Sequence, residues 1–268
     1  MTNPTAEIGV FGGSGFYSLL GDGAREHLVE TPYGAPSDVV VTGEVAGRSV
    51  AFLPRHGRRH EYPPHRIPYR ANVWARRALG VRQILALCGG ITGHGCRPGR
   101  PGGLRPARRL DAGSPRHVLR RPRTRHISFS EPYDPWMRDT IVAVARRLEM
   151  SVHETGTMVV VEGPRFSTAA ESRIFARLGC SVVNMTGCPE AALVRELALG
   201  YATIALITDH DAGILAELEQ KPVTQEAVVQ MFSQNLKRLR RLLVEVIAEL
   251  PAEPSPMSAR ALDDATFG

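Results

Sequence analysis

A chain of 268 residues with 43% hydrophobic content can bury a complete core, as one large α/β domain or two small ones. No stretch approaches 18 uncharged apolar residues, and the opening MTNPTAEIGVFGG lacks the basic and apolar blocks of a secretory signal, so a cytoplasmic chain with no membrane partner is expected. The formal charge of +6 is unevenly spread: ten Arg and one Asp lie between Gly89 and His126, a local net of +9, which leaves the remainder acidic and confines any case for an acidic partner to that segment.

In chain order, EIGVFGGSGF is a strand running into a Gly-rich turn, and DVVVTGEVAGRSVAFLP is two strands about a polar turn at Ala46 to Arg48. YRANVWARRALG is helical with a stop at Gly80, and VRQILAL is a short buried strand. Asp134 and Pro135 supply the N-cap and first-turn proline of WMRDTIVAVARRLEM, whose Ile141, Val144, Ala145 and Leu148 share a face. TMVVVEG is a strand, and Thr168 with Glu171 forms a capping box for TAAESRIFARLG. CSVVNM is a further strand, Pro189 opens the helix PEAALVRELAL, and YATIALITD is the last strand before a long helix from Val223 to about Leu250. Residues 1–250 form one domain on this pattern, and the Pro/Ser/Ala-rich tail 251–268 is expected to be flexible. Cys88, Cys96, Cys180 and Cys188 form no C-x-x-C pair, which leaves reduced thiols and no metal site as the expectation.

Alternating strands and helices place functional side chains at strand ends. GGSGF ends the first strand, where exposed backbone N–H groups and the Ser14 hydroxyl suit an anion; a purely structural turn is the alternative. Arg55 and His56 stand at a strand end in LPRHGRRH, and the planar guanidinium fork suits phosphate oxygens, whereas Arg58 and Arg59 read as a solvated loop. Asn184, Met185 and Thr186 close another strand. Asp209 and Asp211 in ITDHDAG can accept from an exocyclic amine or, protonated, donate to a ring nitrogen; helix capping is the alternative. Phe166 in EGPRFST either stacks on a base or packs in the core.

Taken in order, GVFGGSGF, FLPRHGRRHEYPPHRIPYRANVWA, GTMVVVEGPRFSTAAES, VVNMTGCPEAALVREL and ITDHDAG resemble the methylthioadenosine phosphorylase branch of the trimeric purine nucleoside phosphorylases, over about residues 7 to 250. The resemblance implies a single α/β domain with a mixed, twisted central sheet flanked by helices. It also implies phosphorolysis of 5′-methylthioadenosine to adenine and 5-methylthioribose 1-phosphate, with no cofactor and inorganic phosphate as co-substrate. By the same resemblance Ser14, Arg55, His56 and Thr186 hold phosphate, Met185 lies against the ribose and Phe166 contacts the base. Asp209 bonds the base at N7 as the catalytic residue, Asp211 supports recognition of the amine, and His126 reaches across a homotrimer contact to the 5′ end of the nucleoside. Asp209 stands where a 6-oxopurine site would prefer Asn, so 6-aminopurine preference is expected, with methylthioinosine or inosine as the alternative.

The Arg/Pro/Gly-rich segment, about 88–125, interrupts the resemblance. The family's CAVGSL-like turn, DQLVD segment and intervening strand are absent there. Read one base onward, codons for LCGGIT followed by Gly93 are compatible with CAVGSL, those for RPARR followed by Leu110 with DQLVD, and those for HVLRR followed by Pro122 with TYYDD. A compensated pair of frameshifts, opening near Leu87 and closing between Arg121 and Arg125, accounts for all three. If the polypeptide carries this segment as written, the alternative is a non-catalytic product; an RNA-binding role is disfavoured because the run has no interleaved aromatic residues.

Overall fold

The computed structural model describes residues 5–12, 19–20, 23–92, 101–103, 105–109, 118, 126–210, 225–263 and 265. Among them ten strands form one mixed sheet: β1 (Ile8–Gly12), β2 (Arg25–His27), β3 (Val40–Val45), β4 (Arg48–Pro54), β5 (Gln83–Thr92), β6 (Pro101–Gly103), β7 (Arg105–Arg109), β8 (Thr157–Val160), β9 (Val182–Asn184) and β10 (Gly200–His210). The order along the main path is β2-β3-β4-β1-β5-β9-β8-β7, with β10 paired to β5 and β6. The hairpin β3–β4 closes through Ala46 and Gly47, whose φ values of 51° and 75° give the left-handed pair that a two-residue hairpin turn requires. Six helices accompany the described strands: α1 (Tyr69–Ala78), α2 (Pro135–Arg147), α3 (Ala169–Arg177), α4 (Gly187–Glu196), α5 (Gln225–Glu249) and α6 (Pro256–Ala259).

The two-residue period of the strands sorts the core into two layers. Ile8, Val10, Phe52, Leu85 and Leu87 face Met137 and Ile141 of α2 and Leu242 and Val246 of α5. Phe11, Ala51, Leu53, Ile84 and Ala86 face the other way, toward Val73 of α1 and Leu193 and Val194 of α4. Parity along β4 therefore delivers Arg55, two residues past Leu53, to the α1/α4 side.

The other decisive feature is how β5 is paired. β10 runs parallel to β5 from Gln83 to Thr92 and takes up one of its edges completely. Along the opposite edge β1 pairs only from Gln83 to Ala86, and β9 joins antiparallel only at Ile91 and Thr92. Among the described residues, 87–90 of β5 thus lack a strand neighbour on that edge, and the described sheet is split there.

Three expectations need correction. VRQILAL is longer than its apolar run, because Gly89 to Thr92 continue the strand against β10. The Arg-rich segment is only partly central to the sheet: its first residues, through Thr92, complete β5, whereas among the described strands β7 pairs only with β8 and β6 only with β10. The segment is also tied at buried Val118, whose N–H donates to Glu196 Oε2 at 2.6 Å and whose carbonyl accepts from the Tyr33 hydroxyl. Lastly, the tail is docked over 251–263. Ser255 and Ser258 are buried, and Arg195 donates to the Met257 carbonyl at 3.3 Å.

Asp134 is the hinge of that docking. Its Oδ1 caps α2 by accepting from Met137 N at 3.2 Å, and its Oδ2 accepts from the N–H and hydroxyl of Ser255 at 2.9 and 2.7 Å. Replacing Asp134 by Ala removes a helix cap and strands two buried donors, so unfolding free energy should fall by about 2–4 kcal/mol and Tm by roughly 5–10 °C, read by calorimetry.

Candidate active site

The break in β5 pairing leaves backbone carbonyls that need donors. Two side chains supply them: Arg55 Nη1 donates to Leu87 O at 3.0 Å, and Asn184 Nδ2 donates to Gly89 O at 3.2 Å. The residues that bridge the split thus come from the ends of β4 and β9, the two strand ends where anion ligands are expected.

Arg55 is buried, and its Nε and Nη2 form a two-pronged pair with Glu190 of α4 at 2.6 and 2.8 Å. Burial opposes its charge, yet Glu190 outweighs burial and holds the guanidinium cationic above its usual range. The Tyr201 hydroxyl donates to the same Glu190 at 2.8 Å; burial first, then the Glu190 charge, keeps this phenol protonated. Burial also pushes the neighbouring Cys88 thiol up to about 12. The guanidiniums of Arg55 and Arg76 both lie over the Phe11 ring, at 5.2 and 3.9 Å from its centroid, at the end of β1 just before the Gly-rich turn.

His56 is half-buried, bonds the Tyr62 carbonyl through Nδ1 at 2.8 Å and stacks on His60 with centroids 4.4 Å apart. Since a carbonyl only accepts, Nδ1 carries the proton, and the neutral ring presents Nε2 as an acceptor. Burial, then the Arg55 charge, lowers its pKa to about 4.

Thr186 is the buried N-cap residue of α4, and its hydroxyl does not cap the helix. Asn184 takes over that task, its Oδ1 accepting from the N–H groups of Thr186 at 2.8 Å and Gly187 at 2.7 Å. Met185 is held from the opposite side by the loop after β8: Gly163 has φ 71°, and a Cβ there would stand 2.7 Å from Met185 Sδ and 3.3 Å from Pro64 Cγ. In the same loop Phe166 is half-buried against the cluster of Val159, Phe175, Cys180 and Val183. Arg165 donates to the Phe166 carbonyl at 3.0 Å and forks onto Glu171. Glu171 completes the capping box of α3, and its carboxyl is lowered to about 2 by Arg165 and then by the Thr168 N–H.

Asp209 is placed by its backbone near the end of β10, opposite Ile91, directly after a bulge that interrupts the register between Ile207 and Asp209. Ser14 and Asp211 lie outside the described residues. His126 is exposed, its N–H bonded to Ala265 O at 2.9 Å. The fold therefore gathers Arg55, Asn184, Met185 and Thr186 around the split, and sets His126 on the surface. Glu190, Asn184 and Tyr201 have no role in the expectations from sequence. Glu190 could have been flagged, since a carboxylate in the apolar run CPEAALV requires a buried cation.

A family profile described as the phosphorylase superfamily matches residues 7–248. The chain belongs to the phosphorylase superfamily. One relative in this superfamily, a purine nucleoside phosphorylase of Streptomyces coelicolor, is 50% identical over 92% of this chain and 90% of its own. An S-methyl-5′-thioadenosine phosphorylase of Thermofilum pendens is 40% identical over 97% and 98% of the two chains. Among solved structures, a methylthioadenosine phosphorylase from an antarctic soil metagenomic library superposes with a TM-score of 0.89 at 30% identity, covering 98% of this chain and 93% of that one. A mutant of adenosine/methylthioadenosine phosphorylase from Schistosoma mansoni, in complex with methylthioadenosine, gives 0.86 at 32% identity over 96% of each chain. The single α/β domain with a mixed sheet expected from sequence is the superfamily fold. No helix among its described residues is long and apolar enough to cross a membrane.

Two outcomes follow for this phosphorylase chain. Gly163→Ala forces a side chain onto Met185 at a left-handed φ, so stability should drop by about 1–2 kcal/mol and nucleoside KM should rise, measured by denaturation and steady-state rates. His56 has a folded pKa below the unfolded value of about 6.5, so its contribution to stability is complete above that pH and is lost as pH falls through about 4. Urea midpoints at pH 7 and pH 4 should differ more for the unmodified chain than for His56→Gln.

Proposed function

We propose that the chain catalyses phosphorolysis of 5′-methylthioadenosine to adenine and 5-methylthioribose 1-phosphate. The observation that carries this is the convergence on the split of β5 of two oxyanion-suited groups, Arg55 and Thr186, with the backbone of Asp209 near the end of the strand along the other edge. Cleavage of an N-glycosidic bond passes through an oxocarbenium-like state, which needs an anion beneath the sugar and a strong donor at the departing purine. In the proposed reaction the C1′–N9 bond breaks with its electron pair going to the purine. A phosphate oxygen bonds to C1′, and Asp209 holds a proton at N7.

Ser14, Arg55, His56 and Thr186 form the phosphate side of this proposal. Neutral His56 accepts a phosphate O–H through Nε2, while Arg55 and the Thr186 hydroxyl donate. Met185, wedged by Gly163, packs on the ribose; Phe166 contacts the base and Asp211 supports its amine. A homotrimer in which His126 of one subunit completes a neighbour's 5′ pocket belongs to the same proposal, as does action in the cytoplasm with phosphate as co-substrate and no cofactor. The names of the Thermofilum and Schistosoma relatives support methylthioadenosine as substrate. The 50% identical relative named purine nucleoside phosphorylase favours purine nucleosides other than methylthioadenosine as the second reading, with inosine as the case to test.

Substrate comparison separates the two. The unmodified chain should cleave methylthioadenosine with a higher kcat/KM than inosine, and Asp209→Asn should move that ratio toward inosine by on the order of 10 to 100-fold, because a polar site penalises the wrong partner. Faster cleavage of inosine by the unmodified chain would assign the 6-oxopurine activity instead.

A further inference from the structure

Glu190 contacts no substrate in the reaction above, yet three hydrogen bonds from two strands converge on it. Its fully buried carboxylate accepts from Arg55 Nε at 2.6 Å on Oε2, and from Arg55 Nη2 and the Tyr201 hydroxyl, each at 2.8 Å, on Oε1. Arg55 extends from the end of β4, Tyr201 from the start of β10, and Glu190 from the first turn of the helix whose N-cap is Thr186. A guanidinium has five N–H groups. Among the described residues, Glu190 and the Leu87 carbonyl engage three, which leaves one on each terminal nitrogen with its direction already fixed. The ion pair is neutral as a unit, so an anion here is held by aimed donors more than by net charge.

The geometry points to Glu190 as the positioning residue of the phosphate site: oriented by Tyr201, it sets the Arg55 guanidinium so that its remaining N–H groups meet inorganic phosphate. This rests on the proposed phosphorolytic reading through the assignment of Arg55 to phosphate. Glu190 is also what ties that arginine to the helix carrying Thr186, so two phosphate ligands from distant strands share one anchor.

The full chain titrated with inorganic phosphate by calorimetry, together with KM values for phosphate and methylthioadenosine, provides the test. Glu190→Gln keeps the reach of the side chain but replaces one acceptor by an NH2 group that repels the guanidinium. Its phosphate Kd and KM should rise about tenfold while nucleoside KM stays within about twofold. Glu190→Asp keeps the charge and withdraws the carboxylate, and should show the same phosphate-selective loss. Tyr201→Phe retains the ring stacked on Tyr133 at 5.6 Å and should weaken phosphate about threefold. A merely structural role would lower Tm without separating the two substrates. Folded Glu190→Gln or Tyr201→Phe protein that binds phosphate as tightly as the unmodified chain overturns the inference, and Tyr201→Phe decides if the Glu190 variants do not fold. Arg55→Met separates the levels: unchanged phosphate affinity there removes Arg55 from the phosphate site and the proposed reading with it, whereas weakened affinity with unaffected Glu190 and Tyr201 variants removes only the positioning role.

Discussion

A β-strand that loses its neighbour partway along one edge must find other partners for its backbone, because a buried carbonyl without a donor costs about as much as a lost hydrogen bond. Among the described strands, β5 is in that position between Leu87 and Gly90, with β10 along its whole opposite edge. The donors it acquires are side chains, Arg55 and Asn184, and each has a second task. Arg55 forks onto Glu190, and Asn184 holds the backbone that presents Met185 and Thr186. The opening in the sheet and the placement of the site thus have one origin. Ligands in α/β folds favour such places because strand neighbours change there and backbone and side chains are turned toward a common space.

The Arg55–Glu190 pair is the costly member of this arrangement. Moving two charges out of water opposes folding by several kcal/mol per ion before their attraction is counted, so a pair this buried contributes little net stability. Its value is directional. A lone arginine at the end of a strand samples many rotamers, whereas one pinned through Nε and one terminal nitrogen has a single orientation, further stiffened by the Phe11 ring beneath it. His56 beside it is kept uncharged first by its own burial and then by the charge of the same arginine, which together disfavour an imidazolium.

Much of this was legible in the sequence. The capping pair Asp134 and Pro135, the Thr168–Glu171 box and the Ala46–Gly47 turn are local chemistry, and local chemistry is decided within a few residues. Arg55, Met185 and Thr186 could be placed at strand ends because strand periodicity is visible in the chain. Glu190 and Asn184 could not be given roles, because their partners are 135 and 95 residues away and only the split in β5 creates the need for them. Periodicity also failed at the end of β5, where GGIT carries too little apolar signal to reveal pairing with β10. Tail docking escaped for a related reason. Ser255 and Ser258 are small polar residues whose burial depends on Asp134 and Arg195, remote in sequence.

Val118 is held by its peptide group, with Glu196 receiving its N–H and Tyr33 capping its carbonyl. Clasps on the main chain do not distinguish one amino acid from another beyond the space its side chain needs. Val118 itself is an uncharged residue in a strongly basic stretch. The clasp is accordingly indifferent to spelling: it grips peptide atoms and leaves the side chain unread, so the surrounding domain can moor an otherwise highly charged passage at a single point.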